Sequence, residues 1–435
     1  MSNIKNVSYQ RKCKICGNDN LKEVIKIQEQ YLSPTFVKSN YKNPLTKIKT
    51  PLTLVLCVPK NNKKSCGLLQ LSEIINPDLL YRKYFYRSST NQTMKKDLKD
   101  VHTKLVKIAK PKKNDLIVDI GANDNTLLNF YNKKFNFIGF EPAKNIKKIK
   151  SNNKIKNIIN YFNAKEFFLQ TNQKAKVISS CAMFYDLKHP KKFVKDINKI
   201  LHEDGVWCVQ ISYLLDMIRN MNFYDICHEH LSYYSFQSFE NLINPLGLKI
   251  FSFETNEVNG GSIRFYICKK TCKRYDNLLK NKKLYRQKKI EKKFKLTKIK
   301  TFTDFDKKIN KIKKITNNYI KNSIKKGDNV IGLGASTKGN ILLQHFGLTK
   351  KEIPVISEIN KFKIGLKCLG TDIKLISEKD AEQINPNTKL VLPWYFKKEI
   401  LKREKKFLKK GGKLLFPMPY THLISKKGEK KIYNQ

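Results

Sequence analysis

Short apolar runs alternate with amphipathic stretches through the middle of the chain. The runs LIVDIGAN (116–123) and FNFIGFEP (135–142) both lead into turns, and further apolar runs lie at 175–187 and 205–215. An amphipathic stretch at 189–205 separates the last two runs. This alternation predicts strands and helices in turn, which fold into a doubly wound α/β sheet.

The first two runs carry the most informative chemistry. A helix is expected to begin in DNTLLNFY (124–131), and the amphipathic stretch is expected to close at Gly205. A strand, a glycine loop and a second strand tipped by an acid form a nucleotide-binding unit, in which Gly121 admits a ligand and Glu141 holds a ribose diol. The dinucleotide fingerprint GxGxxG is absent, and Asp119 suits a cation better than a pyrophosphate. S-adenosylmethionine, with an ammonium, a sulfonium and a ribose but no phosphate, fits these residues.

A similar plan returns near the C-terminus. GLGASTKG (332–339) follows an apolar run and precedes an amphipathic one. Its glycines resemble a phosphate-cradling loop at a helix N-terminus, with Ser336 and Lys338 as candidate phosphate donors. NAD is the alternative ligand, although the third glycine lies farther along than in the dinucleotide fingerprint.

Two segments join these α/β units. NEVNGGSIRFYICKK (256–270) predicts an Asn-Gly turn that leads into a strand. Gly260 and Gly261 either complete an ordinary hairpin or leave room for a ligand. The basic stretch at 280–300 reads as a solvated helical connector.

Composition narrows the class of protein. A chain of 435 residues suggests two to four domains, and 40% hydrophobic residues suffice for a normal interior. No apolar run reaches the roughly 18–20 residues of a membrane span, and the start lacks the apolar core of a signal peptide. We therefore expect a cytoplasmic protein. The sequence does not specify an oligomeric state and is compatible with a monomer.

The formal net charge of +52 raises the question of a polyanionic partner. Lysine is, however, spread through the whole chain together with asparagine and isoleucine. This distribution favours a general compositional bias over a nucleic-acid patch. A basic groove that binds a phosphorylated small molecule would explain the charge at least as simply. We therefore expect no nucleic-acid partner.

Four of the ten cysteines fall in the first 70 residues. Cys13 and Cys16 form CKICG, a metal knuckle, whereas Cys57 ends an apolar run and Cys66 precedes a glycine. Four thiolates supply the tetrahedral set that structural zinc prefers, although the second pair is more widely spaced than is ideal. Isolated buried thiols are the alternative. A closed site of this kind would support folding and not catalysis.

ICHEHLSYYSF (226–236) places two histidines around a glutamate. The i, i+4 spacing of the HExxH zinc motif is missing, so a metal site is disfavoured. Adjacent residues do not share a helix face, which leaves a structural cluster as one alternative. The other is an acid/base site, because imidazole titrates near neutral pH.

Motifs along nearly the whole chain occur together: CKICG, CGLLQL, YFYRSS, DIGANDNTLL, GFEPAKN, HEHLSYYS, NGGSIRFY, GLGASTKGN, LPWYFKKEI and GGKLLFPMP. In combination they resemble the sugar C-methyltransferases that act on nucleotide-linked 4-keto-deoxyhexoses. The resemblance implies a zinc-binding domain at 1–75, a class I S-adenosylmethionine-dependent methyltransferase domain at 76–255, a hairpin and basic helical connector at 256–325, and a C-terminal Rossmann-like sugar-nucleotide domain at 326–435.

The resemblance also implies roles for individual residues. The cofactor is expected to contact Asp119, Gly121, Asn123, Glu141, Pro142 and Ala164. The catalytic set is expected to comprise His230, Glu229, His228 and Tyr86. Contacts to the sugar nucleotide are expected from Tyr84, Asp186, Asn259, Gly260, Gly261, Ser336 and Lys338. The zinc ligands are expected to be Cys13, Cys16, Cys57 and Cys66.

Three positions depart from the pattern of that family. Asn125 replaces a glycine, which is tolerable because asparagine also accepts left-handed backbone. Cys227 replaces a tyrosine, and Asp186 replaces a histidine. Because these two candidate proton handlers have changed type, O- or N-methylation of the same sugars remains an alternative. A zinc-containing nucleic-acid-binding protein is the alternative from another class.

Carbon methylation requires a base that removes an acidic C–H proton beside a ketone, and a group that holds the resulting enolate oxygen. His230 suits the base. Glu229 would either orient the base or bind a sugar hydroxyl. His228 would either donate to the enolate oxygen or face the core.

Overall fold

The computed structural model describes residues 6–32, 36–38, 48–60, 65–84, 86–146, 148, 154–279 and 282–433. The N-terminal strands are β1 Val7–Tyr9, β2 Leu21–Tyr31, β3 Phe36–Val37, β4 Lys49–Cys57, β5 Leu69–Leu71 and β6 Glu73–Ile75, and helix α1 spans Pro77–Tyr81. β2, β4 and β5 form an antiparallel sheet, and β1 pairs with β6.

A mixed seven-stranded sheet forms the centre of the molecule. Its strands are β7 Leu116–Ile120, β8 Asn136–Phe140, β9 Ile155–Ile158, β10 Ala175–Cys181, β11 Leu201–Ser212, β13 Leu248–Asn256 and β14 Ser262–Lys269; the short β12, Ser232–Tyr233, lies outside it. The spatial order is β13-β14-β11-β10-β7-β8-β9, with β7 to β11 parallel and β14 antiparallel to its neighbours. The helices of this region are α2 Gln92–Ala109, α3 Ala164–Phe168, α4 Pro190–Ile200, α5 Leu214–Arg219 and α6 Phe236–Ile243. The predicted α/β fold is confirmed.

Three helices lead from the central sheet to a second, C-terminal sheet: α7 Asp276–Leu279, α8 Lys282–Phe294 and α9 Ile299–Lys325. The strands that follow are β15 Val330–Leu333, β16 Val355–Glu358, β17 Lys367–Cys368, β18 Lys374–Ser377, β19 Thr388–Val391, β20 Lys413–Phe416, β21 His422–Ser425 and β22 Gly428–Lys431. The helices among them are α10 Thr337–Phe346, α11 Glu378–Gln383, α12 Lys397–Arg403 and α13 Lys405–Lys409. β15, β16, β18, β19 and β20 are parallel, which is the second α/β unit that the sequence predicted.

The three regions are joined by strand pairing and by a shared core. β3 from the N-terminal region forms the edge of the C-terminal sheet, and β12 from the central region pairs with β5. Buried side chains of the N-terminal sheet, the segment 214–233 and the C-terminal sheet belong to one hydrophobic cluster. The segment that contains His-Glu-His is therefore held from both ends of the chain.

Two expected helices differ from the prediction. Only a short 3₁₀ turn, Leu128–Phe130, follows β7, because Asn123 (φ 50°) and Asn125 (φ 67°) take left-handed backbone that interrupts a right-handed helix. α4 ends at Ile200, and Gly205 lies inside β11. A Cβ on Gly205 would lie 2.9 Å from the Ala175 carbonyl oxygen, so glycine is needed where the strands approach closely.

The basic connector is more tightly docked than the sequence indicated. Lys280 and Asn281 lie outside the described residues. In α8, Glu291 is buried, and its carboxylate accepts hydrogen bonds from the Tyr213 hydroxyl at 2.7 Å and from the backbone nitrogens of Phe236 and Gln237. Phe236 and Gln237 are the first two residues of α6, so the Glu291 carboxylate caps the N-terminus of this buried helix. The prediction of a solvated connector is wrong at this position.

Candidate active site and metal centre

The carboxyl ends of β7, β8, β10 and β11 meet at one edge of the central sheet, which is where parallel sheets bind ligands. Asp119 lies at this edge in β7, and its carboxylate accepts a hydrogen bond from Ser179 Oγ at 2.6 Å. Glu141 follows β8 and accepts from the backbone nitrogens of Asn123 at 2.9 Å and Ala143 at 2.8 Å. The Glu141 carboxylate therefore ties its own strand to the loop after β7.

Both carboxyl groups are buried, and burial raises the pKa of Asp119 to about 7 and raises the pKa of Glu141 as well. A ligand with positive charges would stabilise their ionised forms. Lys148 donates a hydrogen bond to the Asn123 carbonyl beside them. These donors and acceptors fit the ribose and the cationic groups of S-adenosylmethionine.

The remaining predicted cofactor residues surround the same edge. Gly121 has φ +78°, and a Cβ there would meet the Met183 side chain at 3.0 Å. Pro142 follows Glu141, and its carbonyl accepts a hydrogen bond from Arg82. Ala164 is buried at the first position of α3. Asn125 takes the left-handed backbone predicted for it.

The YFYRSS segment covers the loop after β7. The Asn123 side chain accepts from the Ser88 backbone nitrogen at 3.0 Å and donates to the Tyr86 carbonyl at 3.2 Å. Asp124 accepts from the Ser89 backbone nitrogen at 3.0 Å. The structure thus places Tyr86 next to the cofactor loop through its backbone, whereas its ring is 39% exposed.

A cluster of buried polar side chains, called the acid/base pocket below, lies beside this edge, where the turn after β10 meets the His-Glu-His segment. Glu229 is 7% exposed, and its carboxyl group is hydrogen-bonded to the Tyr84 side chain. Tyr81 donates from its hydroxyl to the Glu229 carbonyl at 3.2 Å and lies beside the carboxyl group of Asp186. The structure brings together three of the candidate site residues, Tyr84, Glu229 and Asp186, and adds Tyr81 to them. Tyr81 carried no sequence signal beyond its place upstream of YFYRSS.

The two acids in this pocket repel each other. Burial and the neighbouring Glu229 raise the pKa of Asp186 well above its usual range. Burial raises the pKa of Glu229 to about 7, while Lys338 and the Tyr84 hydrogen bond oppose the rise. A carboxyl group with a pKa near neutrality can exchange a proton under physiological conditions.

The hydrogen-bonding role of one His230 ring nitrogen is defined by its neighbour. Its Nδ1 lies 2.8 Å from the Asp225 carbonyl oxygen, which can only accept, so Nδ1 carries the hydrogen and Nε2 keeps its lone pair. The ring packs on Tyr185, with centroids 4.3 Å apart. Burial and the charge of Lys338 lower the pKa of His230 to about 3, so the ring is neutral at physiological pH.

His228 points elsewhere. It is fully buried, its ring hydrogen-bonds the backbone of Thr50 in β4, and burial lowers its pKa to about 4. Of the two roles considered from the sequence, the placement matches the one in which His228 faces the core. A tight turn at 227–229, with the His230 nitrogen bonded to the Cys227 carbonyl, separates the two imidazoles.

The hairpin glycines pack against the central domain. A Cβ on Gly260 would lie 2.7 Å from Asn222 Nδ2, and one on Gly261 would lie 2.4 Å from Asp216 Cβ. The close approach of these neighbours accounts for both glycines without a ligand. Asn259 has φ 56°, and its carbonyl accepts a hydrogen bond from Lys338.

The C-terminal glycine loop is bound by an acid that the sequence did not single out. Glu358, at the end of β16, accepts from the backbone nitrogen of Ala335 at 2.9 Å and from two nitrogens that follow it. This repeats the arrangement of Glu141 at the tip of β8. The sequence signal for this residue was its place at the end of the apolar strand VISE (355–358). Ser336 accepts from the Gly339 nitrogen at 2.9 Å and so caps α10.

The four N-terminal cysteines converge on one point. Their sulfur atoms all lie within 4.8 Å of one another, with Cys13 and Cys66 at 3.3 Å and Cys16 and Cys57 at 3.5 Å. Tetrahedral zinc with Zn–S bonds of about 2.3 Å requires sulfur separations of about 3.8 Å. The cluster therefore fits a four-thiolate zinc ion, with no ligand position left open for catalysis.

The zinc cluster is linked to the acid/base pocket. Lys14, inside the CKIC knuckle, donates from Nζ to the Leu231 carbonyl at 3.3 Å and from its backbone nitrogen to Gln70 at 3.2 Å. Gln70 lies in β5, which pairs with Ser232 of β12. The cysteine cluster thus supports the strand that follows His230.

Three family models match consecutive parts of the chain. A zinc binding domain matches residues 13–81, a methyltransferase domain matches 90–252, and a C-methyltransferase C-terminal domain matches 257–419. The chain has the three-domain architecture of the C-methyltransferases. The predicted enzyme class is therefore confirmed, and the methyl donor of this family is S-adenosylmethionine. The findings support a methyltransferase with a small-molecule substrate.

A curated relative spans the whole enzyme. The C-methyltransferase NovU of Streptomyces niveus is 25% identical over 416 residues, which are 95% of this chain and 96% of NovU. This similarity crosses all three domains.

Solved structures overlap the enzyme only in part. An S-adenosylmethionine-dependent methyltransferase from Clostridium acetobutylicum is 13% identical, with a TM-score of 0.30 over 40% of this chain and 91% of its own. The plantazolicin methyltransferase BpumL, in complex with SAH, is 15% identical, with a TM-score of 0.33 over 46% and 82%. Among the described residues, no helix is long and apolar enough to cross a membrane.

Proposed function

We propose that this C-methyltransferase methylates a carbon of a nucleotide-linked keto-deoxysugar through an enolate. The observation that carries the proposal is the hydrogen bond from His230 Nδ1 to the Asp225 carbonyl, which leaves Nε2 as a neutral base. Because the pKa of His230 is about 3 before the substrate binds, the imidazole can hold the C–H proton that it removes only with the negative charge of the forming enolate beside it. S-adenosylmethionine supplies the electrophilic methyl group when it is bound.

The surrounding residues support the same chemistry. Tyr84 and Tyr81 place hydroxyl groups beside Glu229 and Asp186, where a sugar ketone and its hydroxyls would be held. Hydrogen-bond donors that are fixed before the reaction stabilise an enolate oxygen as charge develops on it. Glu358, at the tip of β16, contacts the glycine loop at 332–339 in the way that Glu141 contacts the loop after β7. An acid in this position commonly holds a ribose, so we place the nucleotide of the substrate near Glu358.

Methyl transfer to a panel of nucleotide-linked keto-deoxysugars in deuterated water tests the proposal. Carbon methylation requires loss of the C–H proton at the carbon that receives the methyl group, so mass spectrometry and NMR should show that proton missing from the product. A product that retains all of its carbon-bound protons and carries an O- or N-methyl group would refute carbon methylation. As a control, the enzyme with S-adenosylhomocysteine and the substrate should exchange the same proton for deuterium without turnover.

The pH dependence of kcat/KM should reveal Glu229. Because burial raises its pKa to about 7, the carboxylate is lost as the pH falls through that value. If the ionised form is needed to bind the sugar, kcat/KM should fall about tenfold per pH unit below pH 7. Glu229→Gln should lower activity and remove this acid limb, since glutamine does not titrate.

The same measurement decides between the two candidate bases. If Glu229→Gln is inactive at every pH while His230→Asn retains turnover, Glu229 is the base and our assignment of His230 is wrong. Tyr9→Phe, at an exposed ring in β1, serves as a control for the handling of variants and should leave the profile unchanged.

A further inference from the structure

Lys338 belongs to the C-terminal domain, but its ammonium group reaches the central domain. It is at the second position of α10, and its side chain is 14% exposed. The ammonium forms an ion pair with Asp225, whose side chain is 3% exposed, and donates to the Asn259 carbonyl at 3.1 Å. It lies 5.3 Å from the ring centre of Tyr395 and 5.7 Å from that of Tyr224.

Asp225 connects this lysine to His230. Its carboxylate binds Lys338, while its carbonyl accepts from His230 Nδ1 at 2.8 Å and from the Tyr233 hydroxyl at 3.2 Å. Asp225 ends the 3₁₀ turn Phe223–Asp225, and Phe223 stacks on Phe346 of α10 with centroids 5.7 Å apart. The peptide group that orients His230 is therefore fixed largely by contacts to the C-terminal domain.

We propose that Lys338 is a positioning residue for the base: through Asp225 it fixes the orientation and tautomer of His230 and so makes catalysis depend on the docked C-terminal domain. The consequence for catalysis rests on the proposed function, whereas the effect on the imidazole does not. This role differs from the phosphate contact that the sequence suggested, because the ammonium is already paired with a buried carboxylate.

The charge balance around the pair supports this role. The titratable groups that act on Lys338 are Asp225, Tyr395 and Cys227, and Lys338 acts in turn on Glu229 and His230. The ring of Tyr224 also lies under the ammonium group, and the ring of Tyr185 packs on His230. Lys338 is the cation that lowers the pKa of both His230 and Glu229. Removing this cation should therefore raise both pKa values and shift the acid limb of kcat/KM to higher pH.

Four full-length variants test the proposal: Lys338→Met, Lys338→Arg, Asp225→Asn and the double variant with Met and Asn. Lys338→Met should lower kcat by about 100-fold, because misplacement of a catalytic group by about 1 Å has an effect of that size. Measured at a pH above the shifted acid limb, where Glu229 is ionised in both proteins, KM for the nucleotide sugar should change little, and Lys338→Arg should restore most of kcat. The double variant leaves no buried unpaired charge, so it guards against a simple folding defect. Its loss should be far smaller than the product of the single losses.

NMR of ¹⁵N-histidine reads the imidazole without any substrate, and the chain has only seven histidines. The His230 signal is assigned by its absence from His230→Asn. In wild type and Lys338→Arg, the two ¹⁵N chemical shifts of the His230 ring should be those of a single tautomer with its hydrogen on Nδ1. In Lys338→Met and the double variant, exchange between the two tautomers should average these shifts.

An unchanged His230 signal in Lys338→Met overturns the proposal, and a loss confined to KM for the nucleotide sugar would assign Lys338 to the phosphates instead. If the enzyme methylates no keto-deoxysugar, the proposed function fails, but the NMR result still decides whether Lys338 positions His230.

Discussion

His230→Asn should lower methyl transfer by about 10³-fold or more while leaving S-adenosylmethionine binding unchanged. The asparagine amide can still donate to the Asp225 carbonyl, so the local backbone is preserved, but no lone pair is left to accept the C–H proton. A general base contributes about 10²–10⁴-fold to the rate, which sets the size of the expected loss.

Single-turnover kinetics and calorimetric titration with the cofactor separate the two effects. The loss should appear in kcat, while the dissociation constant for S-adenosylmethionine stays within about twofold, because the cofactor edge around Asp119 and Glu141 does not include His230. His202→Asn is a matched control, since that histidine is exposed at the start of β11 and pairs only locally with Asp204. Turnover of His230→Asn within tenfold of wild type would contradict the assignment of the base.

Cys57→Ser should release zinc, unfold the N-terminal region and abolish turnover. Four thiolates hold the ion, and the apparent free energy of binding structural zinc is about 10–16 kcal/mol in small domains, which exceeds the stability of most domains. The damage should reach the acid/base pocket, because Lys14 bonds the Leu231 carbonyl and β5 pairs with β12 directly after His230.

Metal analysis, circular dichroism and turnover should therefore change together, and added zinc should not rescue the variant. Cys272→Ala is the control: this buried thiol lies in the turn after β14, outside the cluster, so its variant should keep one zinc per chain. A Cys57→Ser protein with full zinc content and wild-type kcat would show that the cluster is not the structural support described here.

The sequence by itself determined the two α/β units and the candidate zinc ligands. Apolar runs separated by amphipathic stretches report backbone periodicity, and this periodicity is a local property. The left-handed backbone of Asn125 was predictable for the same reason, since it depends on the residue type at one position. The prediction of a helix after β7 was wrong, because Asn123 and Asn125 both take left-handed backbone and the right-handed helix that the apolar pattern indicated cannot begin there.

The composition of the acid/base pocket could be predicted only in part. HEHLSYYS identified Glu229 and His230, but nothing in the motif separated them from His228, which the turn at 227–229 directs towards Thr50. Tyr81 and Asp225 were missed because a tyrosine before YFYRSS and an aspartate before HEH have no distinguishing spacing. Their importance follows from the hydrogen bonds that they make in the folded chain.

Lys338 shows most clearly what only the tertiary structure decided. In the sequence it lies in a glycine loop at a helix start, where a lysine ordinarily faces a phosphate. In the fold, α10 packs against the turn before His-Glu-His, and the same lysine pairs with Asp225. Local pattern specifies strands, helices and metal-ligand spacing, because those depend on neighbouring residues. The docking of two sheets depends on side chains distant in sequence, so the partner of a charged group emerges only when the domains are packed together.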